Sequence, residues 1–200
     1  MITAWRIVKA RHAARAFDGE DARVEGGRWN SPGTPMVYTS QTAALAVLEM
    51  LVHLGRASIL RAHVLIPCTF DEPVVSRLDR KRLPKKWRSY PAPPELQLIG
   101  DEWVRSGTSA VLEVPSAVIE TESNYLLNPC HGDSRAIRVM GQQPFELDPR
   151  LLKSRSSVHN QKPSLAPIWT TRLGWTADVS RDVTPVTANS STSSAMFSRL

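Results

Sequence analysis

The chain has 200 residues, 25 lysines and arginines against 19 aspartates and glutamates, and 42% hydrophobic residues. That length suits one domain with room for an appended tail, and the apolar fraction is enough for a core of ordinary size. A net charge of +6 favours an acidic partner, whether nucleic acid, a phosphorylated small molecule or an acidic protein, and excludes none of the three.

In chain order, "AWRIV" (residues 4–8) alternates weakly and suits an opening strand, and the charged, irregular stretch from Lys9 to Gly27 has room for a short helix. "GGRWNSPGTPMVYTS" then sets Arg28 in a glycine-loosened loop ahead of a strand at 36–39 that carries Tyr38. Ser40 suits an N-cap for a helix over 41–54, with Gly55 as its stop. On that helix Ala44, Leu45, Val47, Leu48, Leu51 and Val52 form a broad apolar face. Glu49 falls at its edge, one turn from Leu45 and His53. "ILRAHVLIP" (59–67) reads as a buried strand ended by Pro67, and residues 77–94 as a basic, then proline-rich surface excursion. A helix follows over 95–105, with prolines before it and Gly107 after. Residues 109–120 suggest a strand pair broken at Pro115, "NYLLNPCHGD" a loop, and "AIRVM" and "PFELD" two last strands. No glycine-rich phosphate loop and no regular βαβ period occurs, so a mixed α+β fold is expected over a doubly wound one.

The apolar run "AALAVLEMLVHL" is too short to span a bilayer, and no signal peptide opens the chain. Cys68 and Cys130 lack zinc-site pairing, and the five histidines lack metal-ligand spacing. A soluble, cytoplasmic, metal-free protein is therefore expected. From residue 154 onward the chain is rich in serine and threonine, a composition that disfavours a packed core, although Trp169 and Trp175 run against that reading.

Each candidate residue admits two readings. Arg28 is an exposed loop arginine or a planar fork that grips a pyrophosphate. Glu49 is a boundary glutamate with its head in water, or a carboxylate held rigidly for catalysis, since burying it unpaired is costly. Tyr38 is an edge aromatic, or a ring and hydroxyl presented to a ligand. Ser116, after Pro115, is a turn residue with no nucleophile elbow around it. The basic run from Arg77 to Arg88, with Trp87 and Tyr90, is a solvated face or a nucleic-acid patch.

Taken in order, "GGRWNSPGTPMVYTS", "TAALAVLEMLVHL", "VPSA" and "NYLLNPCH" resemble the RES-domain family, the toxins of bacterial RES–Xre toxin–antitoxin modules. The resemblance runs from about Trp5 to about Leu152, so residues 1–153 are expected to be a RES domain and 154–200 a Ser/Thr-rich tail. It implies an ADP-ribosyltransferase-like central mixed sheet with flanking helices. It also implies consumption of NAD+ as substrate, with no separate cofactor. Arg28, Glu49 and Ser116 fall on the catalytic positions of the family. Arg28, Tyr38, Ser116 and Asn128 fall on those that bind NAD+. The implied partner is an Xre-type helix-turn-helix antitoxin, with DNA reached only through it. Breaking the nicotinamide–ribose bond releases a neutral pyridine, so the need is to stabilise an oxocarbenium-like ribosyl cation, and Glu49 is the expected carboxylate. Ser116 is expected to hydrogen-bond the ribose or nicotinamide. Water, phosphate or a protein side chain remain open as acceptor: glycohydrolase, phosphorylase or protein ADP-ribosyltransferase. A basic nucleic-acid-binding protein without enzymatic activity is the alternative from another class.

Overall fold

In the computed structural model, which describes residues 1–53 and 62–152, eight strands and three helices alternate irregularly. The order is β1 (Ile2–Lys9), α1 (Glu20–Glu25), β2 (Val37–Ser40), α2 (Ala43–His53), β3 (His63–Phe70), β4 (Val75–Arg77), α3 (Pro94–Ser106), β5 (Val111–Pro115), β6 (Ser123–Leu127), β7 (Arg138–Val139) and β8 (Gln143–Phe145). The expected tail from residue 154 and the expected helix stop at Gly55 lie outside the described residues.

The strands form one mixed sheet in the order β4-β5-β6-β2-β1-β3-β7, with β8 also paired to β3. Only β4 and β5 run parallel; the other pairs are antiparallel. The apolar run of β3 is buried along almost its whole length, which is why it sits inside the sheet and pairs with β1 from end to end. It does not stop at Pro67, as a proline in a central strand would suggest. The Pro67 carbonyl accepts from the Met140 backbone N–H at 2.8 Å, so this residue turns its hydrogen-bonding edge away from β1. On that edge β8 pairs with residues 63–65 and β7 with residues 68–69, and Pro67 falls in the gap between them. Its missing N–H therefore breaks no ladder bond.

Two further elements differ from the sequence reading. "SNYLL" is a central strand, β6, not a loop, and it lies between β2 and β5. Conversely, the second half of the expected strand pair at 109–120 is a turn after Pro115. Both segments are short apolar runs, and periodicity alone does not separate a buried strand from a tight turn. The cap of α2 also shifts: Ser40 ends β2, and Thr42 Oγ1 accepts from the Leu45 N–H at 3.0 Å as the capping side chain.

α3 forms as expected, with Pro94 in its first turn and Gly107 in the left-handed conformation at its end (φ 58°). Its buried residues, Leu96, Gly100 and Trp103, pack with Trp29, Met36, Leu112, Val114 and Leu126 into one of the apolar clusters. Gly100 sets the distance of closest approach, because a β-carbon there would overlap the Trp29 carbonyl oxygen. Alanine ordinarily favours a helix over glycine by about 1 kcal/mol. Here Gly100→Ala should instead destabilise the full chain by about 2 kcal/mol, within the range for overpacked cores. A lowered denaturant midpoint with an unchanged m-value checks this, and an unchanged midpoint contradicts the packing described.

Candidate active site

The sheet is continuous except at one seam. β1 and β2 register only at Trp5 opposite Ser40, whereas β1 pairs with β3 along its length and β2 pairs with β6 over all four residues. A cleft of about 560 Å³ opens at this seam, within the range of small-molecule sites. β1, β2, α1 with the glycine loop after it, and α2 supply its lining, together with Ala117 and Asn124.

The glycine loop is built around Asn30, which is fully buried. Its Nδ2 donates to the carbonyls of Ala22 at 2.8 Å and Thr34 at 2.9 Å, and its Oδ1 accepts from the Tyr38 hydroxyl at 2.7 Å. The same hydroxyl accepts from the Trp29 N–H at 3.0 Å. Gly27 must be glycine because a β-carbon would lie 2.5 Å from the Tyr38 hydroxyl. With Trp29 buried as an apolar anchor, Arg28 has little freedom to swing. Its Nη1 donates to the Trp87 carbonyl at 2.7 Å and its Nη2 to that of Ser89 at 3.3 Å. Arg28 is thus half-buried and ties the 87–89 segment to the loop. Burial lowers its pKa, while Glu49 and then Tyr38 act to raise it.

Glu49 projects from α2 and is anchored from across the sheet. Its Oε1 accepts from Ser116 Oγ at 2.8 Å and from Asn124 Nδ2 at 2.7 Å, leaving Oε2 without a hydrogen-bond partner among the described residues. Ser116 is fully buried, and its Oγ accepts from the N–H groups of Val118 and Ile119, both at 3.0 Å. Those two donors leave the hydroxyl proton to Glu49.

Arg28, Tyr38 and Glu49 therefore meet in one cleft, whereas the Ser116 and Tyr38 hydroxyls and the Asn128 side chain are engaged elsewhere. Ser116 does not line the cleft; its hydroxyl is committed to Glu49 and backbone groups, so it positions the carboxylate instead of touching a ribose or nicotinamide. The Tyr38 hydroxyl is likewise committed, to Asn30 and Trp29, and burial pushes it well above the usual phenol range. Its ring remains in the cleft lining. Asn128 is buried at the end of β6, where Oδ1 accepts from the Cys130 N–H at 3.0 Å, and is not among the lining residues.

Among the lining residues that escaped the sequence reading, two touch the site's own side chains or backbone. Asn124, four residues before Asn128, is one of them. The other is Arg6 on β1, whose Nη1 donates to the Tyr38 carbonyl at 2.8 Å and whose buried Nε has no partner. Burial lowers the Arg6 pKa, opposed most by Asp21 and then Asp18. A charged residue in the middle of "AWRIV" was the available signal, since such a group must find a partner or a cleft.

The basic run is partly consumed by the scaffold. Arg82 pairs with Glu102 and Arg88 with Glu120, and Trp87 packs against the cluster around Trp29. Among the described residues, no group of His, Cys, Asp and Glu is arranged to hold a metal ion, and no helix is long and apolar enough to cross a membrane.

Known proteins resemble this chain consistently. It is 38% identical over 149 residues to Toxin Res of Yersinia enterocolitica, spanning 74% of this chain and 97% of that one. It is 32% identical over 154 residues to the Prs ADP-ribosylating toxin of a Sphingobium species, spanning 74% and 96%. Its fold matches a chain of the M. tuberculosis MbcT–MbcA toxin–antitoxin complex with a TM-score of 0.62 at 18% identity, over 75% of this chain and 86% of that one. The expected α+β architecture, a mixed sheet with flanking helices, is the one found. Residues 3–148 match the RES domain, and the chain belongs to the RES-domain family of toxins.

Proposed function

We propose that this toxin cleaves the nicotinamide–ribose bond of NAD+, using Glu49 to stabilise the ribosyl cation and the cleft arginines to hold the pyrophosphate. The observation that carries this reading is the anchoring of Glu49. One carboxylate oxygen is fixed by two short hydrogen bonds from Ser116 and Asn124, and the other is left for a ligand. A carboxylate about 4 Å from a developing cation, at an effective dielectric of about 20, contributes about 4 kcal/mol. Realised only in the transition state, that is roughly a thousandfold in rate. No general acid is required, because nicotinamide departs neutral. The anchoring matters because a carboxylate already aimed at the reacting carbon needs no reorganisation when charge develops. Arg28 and Arg6 supply guanidinium donors suited to a pyrophosphate, and the Tyr38 ring offers a flat surface to nicotinamide.

Water or phosphate as acceptor would make the chain a glycohydrolase or a phosphorylase. A second reading, transfer to a protein side chain, draws support from the relative in Sphingobium whose name is Prs ADP-ribosylating toxin. The same carboxylate serves both, since each acceptor captures the same cation. NAD+ enters as substrate in every case, and no bound cofactor is called for. The neutralising partner would be an antitoxin of Xre type, with DNA contacted through that partner. Abundance of such a dinucleotide in the cytoplasm supports action there.

Incubating the purified chain with NAD+, with and without phosphate, should release nicotinamide and identify the acceptor by the second product. With cell lysate added as a source of protein acceptors, nicotinamide release matched by ADP-ribosylated protein, with no free ADP-ribose or its phosphate, would select the second reading, and intact NAD+ with no modified protein would refute both. Glu49→Gln should lower kcat by at least about a hundredfold with little change in NAD+ affinity, the signature of an interaction made in the transition state. Ser116→Ala should lower kcat by about tenfold, again with affinity retained, because it frees the carboxylate without removing it. Ser116→Thr, which keeps the hydroxyl, should restore part of that loss if the site accommodates the methyl. Arg28→Ala should weaken NAD+ binding by about 1.5–3 kcal/mol, the range for hydrogen bonds to charged groups. Calorimetric affinity set against nicotinamide release separates these cases.

A further inference from the structure

The basic, proline-rich excursion of residues 77–94 has no part in the chemistry described so far, yet its middle is bonded to both halves of the site. The carbonyls of Trp87 and Ser89 accept from Arg28. Between them, the Arg88 side chain reaches the turn after Pro115. There its Nε donates to the Ala117 carbonyl at 3.1 Å and its Nη1 to the Glu120 carboxylate at 2.9 Å. Three consecutive residues therefore connect the cation of the cleft to the turn that carries Ser116.

That turn lies outside the ladder between β5 and β6, so its backbone groups need other partners. Ser116 Oγ takes the N–H groups of Val118 and Ile119, and Arg88 takes the carbonyl of Ala117. Arg80 acts at the far end, where its Nη2 donates to the Glu120 carbonyl at 3.2 Å. N–H groups of the turn are thus held by Ser116, and carbonyls by arginines of the excursion. Ala117 itself lines the cleft, so a shift of this turn is felt at the cleft wall. Ser116 directs Glu49 through one hydrogen bond of 2.8 Å, which carries the same shift to the carboxylate.

We propose that Arg88 is a positioning residue for the reaction: by fixing the turn at Ala117 and Glu120, it holds Ser116, and through it Glu49, aligned with Arg28. The inference rests on the NAD+ reading above. Stability is not what this contact supplies. Arg88 and Glu120 are each about half exposed, and exposed pairs contribute little to folding. What it supplies is alignment, and small misplacements of a reacting group cost rate. The geometry asks for an arginine, because a planar fork serves a carbonyl and a carboxylate through separate nitrogens, where lysine has one. The segment is kept in place independently, since Trp87 packs on the cluster around Trp29. Removing the Arg88 side chain should therefore release the turn without releasing Arg28.

The test is nicotinamide release from NAD+ by the full chain and by Arg88→Ala, Arg88→Lys, Ser116→Ala and the double variant Arg88→Ala/Ser116→Ala. Melting temperature is the folding control. Arg82→Ala is the reference, because it breaks a comparably exposed ion pair of the same excursion that goes to Glu102 on α3 and not to the turn. Arg88→Ala should lower kcat by about threefold to fivefold, with KM and melting temperature nearly unchanged. Arg88→Lys should recover only part of that loss, and Arg82→Ala should leave kcat unchanged. Because Arg88 acts through Ser116, the double variant should stay near the roughly tenfold loss of Ser116→Ala alone. A wild-type kcat in Arg88→Ala, an equal loss in Arg82→Ala, or losses that multiply in the double variant overturns the assignment while leaving NAD+ cleavage intact. If the wild-type chain releases no nicotinamide, the NAD+ reading itself fails and takes this inference with it.

Discussion

A carboxylate on an apolar helix has to be satisfied from somewhere, and in this protein the sheet does it. α2 offers Glu49 only apolar neighbours on its own buried side, so the partners come from Ser116, just after β5, and Asn124, on β6. Ser116 is itself fixed by two backbone donors from the turn that follows Pro115. The turn therefore orients the serine, the serine orients the carboxylate, and α2 is pinned against the far half of the sheet. A buried network of this kind rigidifies when its members are satisfied. Here it leaves one carboxylate oxygen without a partner among the described residues, and that is the atom the proposed chemistry would use.

The seam between β1 and β2 is the complementary constraint. A closed sheet leaves no cavity beside Glu49. An open one leaves backbone groups unpaired, which is costly when they are buried. Arg6 reconciles the two by sending a guanidinium N–H to the Tyr38 carbonyl, in place of a ladder bond from β1. The same side chain then brings positive charge into the opening. Structural repair thus explains why a partly buried arginine is tolerated in an apolar strand, and on the proposed reading the same residue would serve ligand recognition.

Much of this was legible in the sequence, and what was missed has physical causes. The loop "GGRWN", the strand with Tyr38 and the helix with Glu49 could be placed because glycine, capping and apolar periodicity are local signals. Gly107 closing α3 was of the same kind. Asn124 and β6 were hidden because "SNYLL" is too short for its pairing to show without knowledge of β2 and β5. Pro67 misled because its effect depends on which edge of β3 it faces, a property of the neighbouring strands. The partners of Ser116 are hidden for a related reason: sequence gives the residue type, but only the fold shows that its hydroxyl is engaged by Glu49 and two backbone N–H groups. Arg6 stood in plain view as a charge within a strand, and its interpretation needed the seam.

The engagement of Arg28 bears on how the cleft meets an anion. Its two terminal nitrogens each donate one N–H to carbonyls of the 87–89 segment, which leaves the Nε–H and the second N–H of each terminal nitrogen for a phosphate. Neutral carbonyls hold a guanidinium in place without neutralising it, and a phosphate makes a stronger, charge-assisted bond. The existing contacts therefore act as preorganisation. They limit the rotamer entropy lost on binding and keep the positive charge at the cleft wall. A carboxylate partner would have held the same geometry while cancelling the charge. Glu49 is close enough to act on Arg28 electrostatically, yet its hydrogen bonds go to Ser116 and Asn124, so the acid and the cation of the site stay separate. On the proposed NAD+ reading, that separation would let the carboxylate face a cationic ribose while the arginines hold a pyrophosphate.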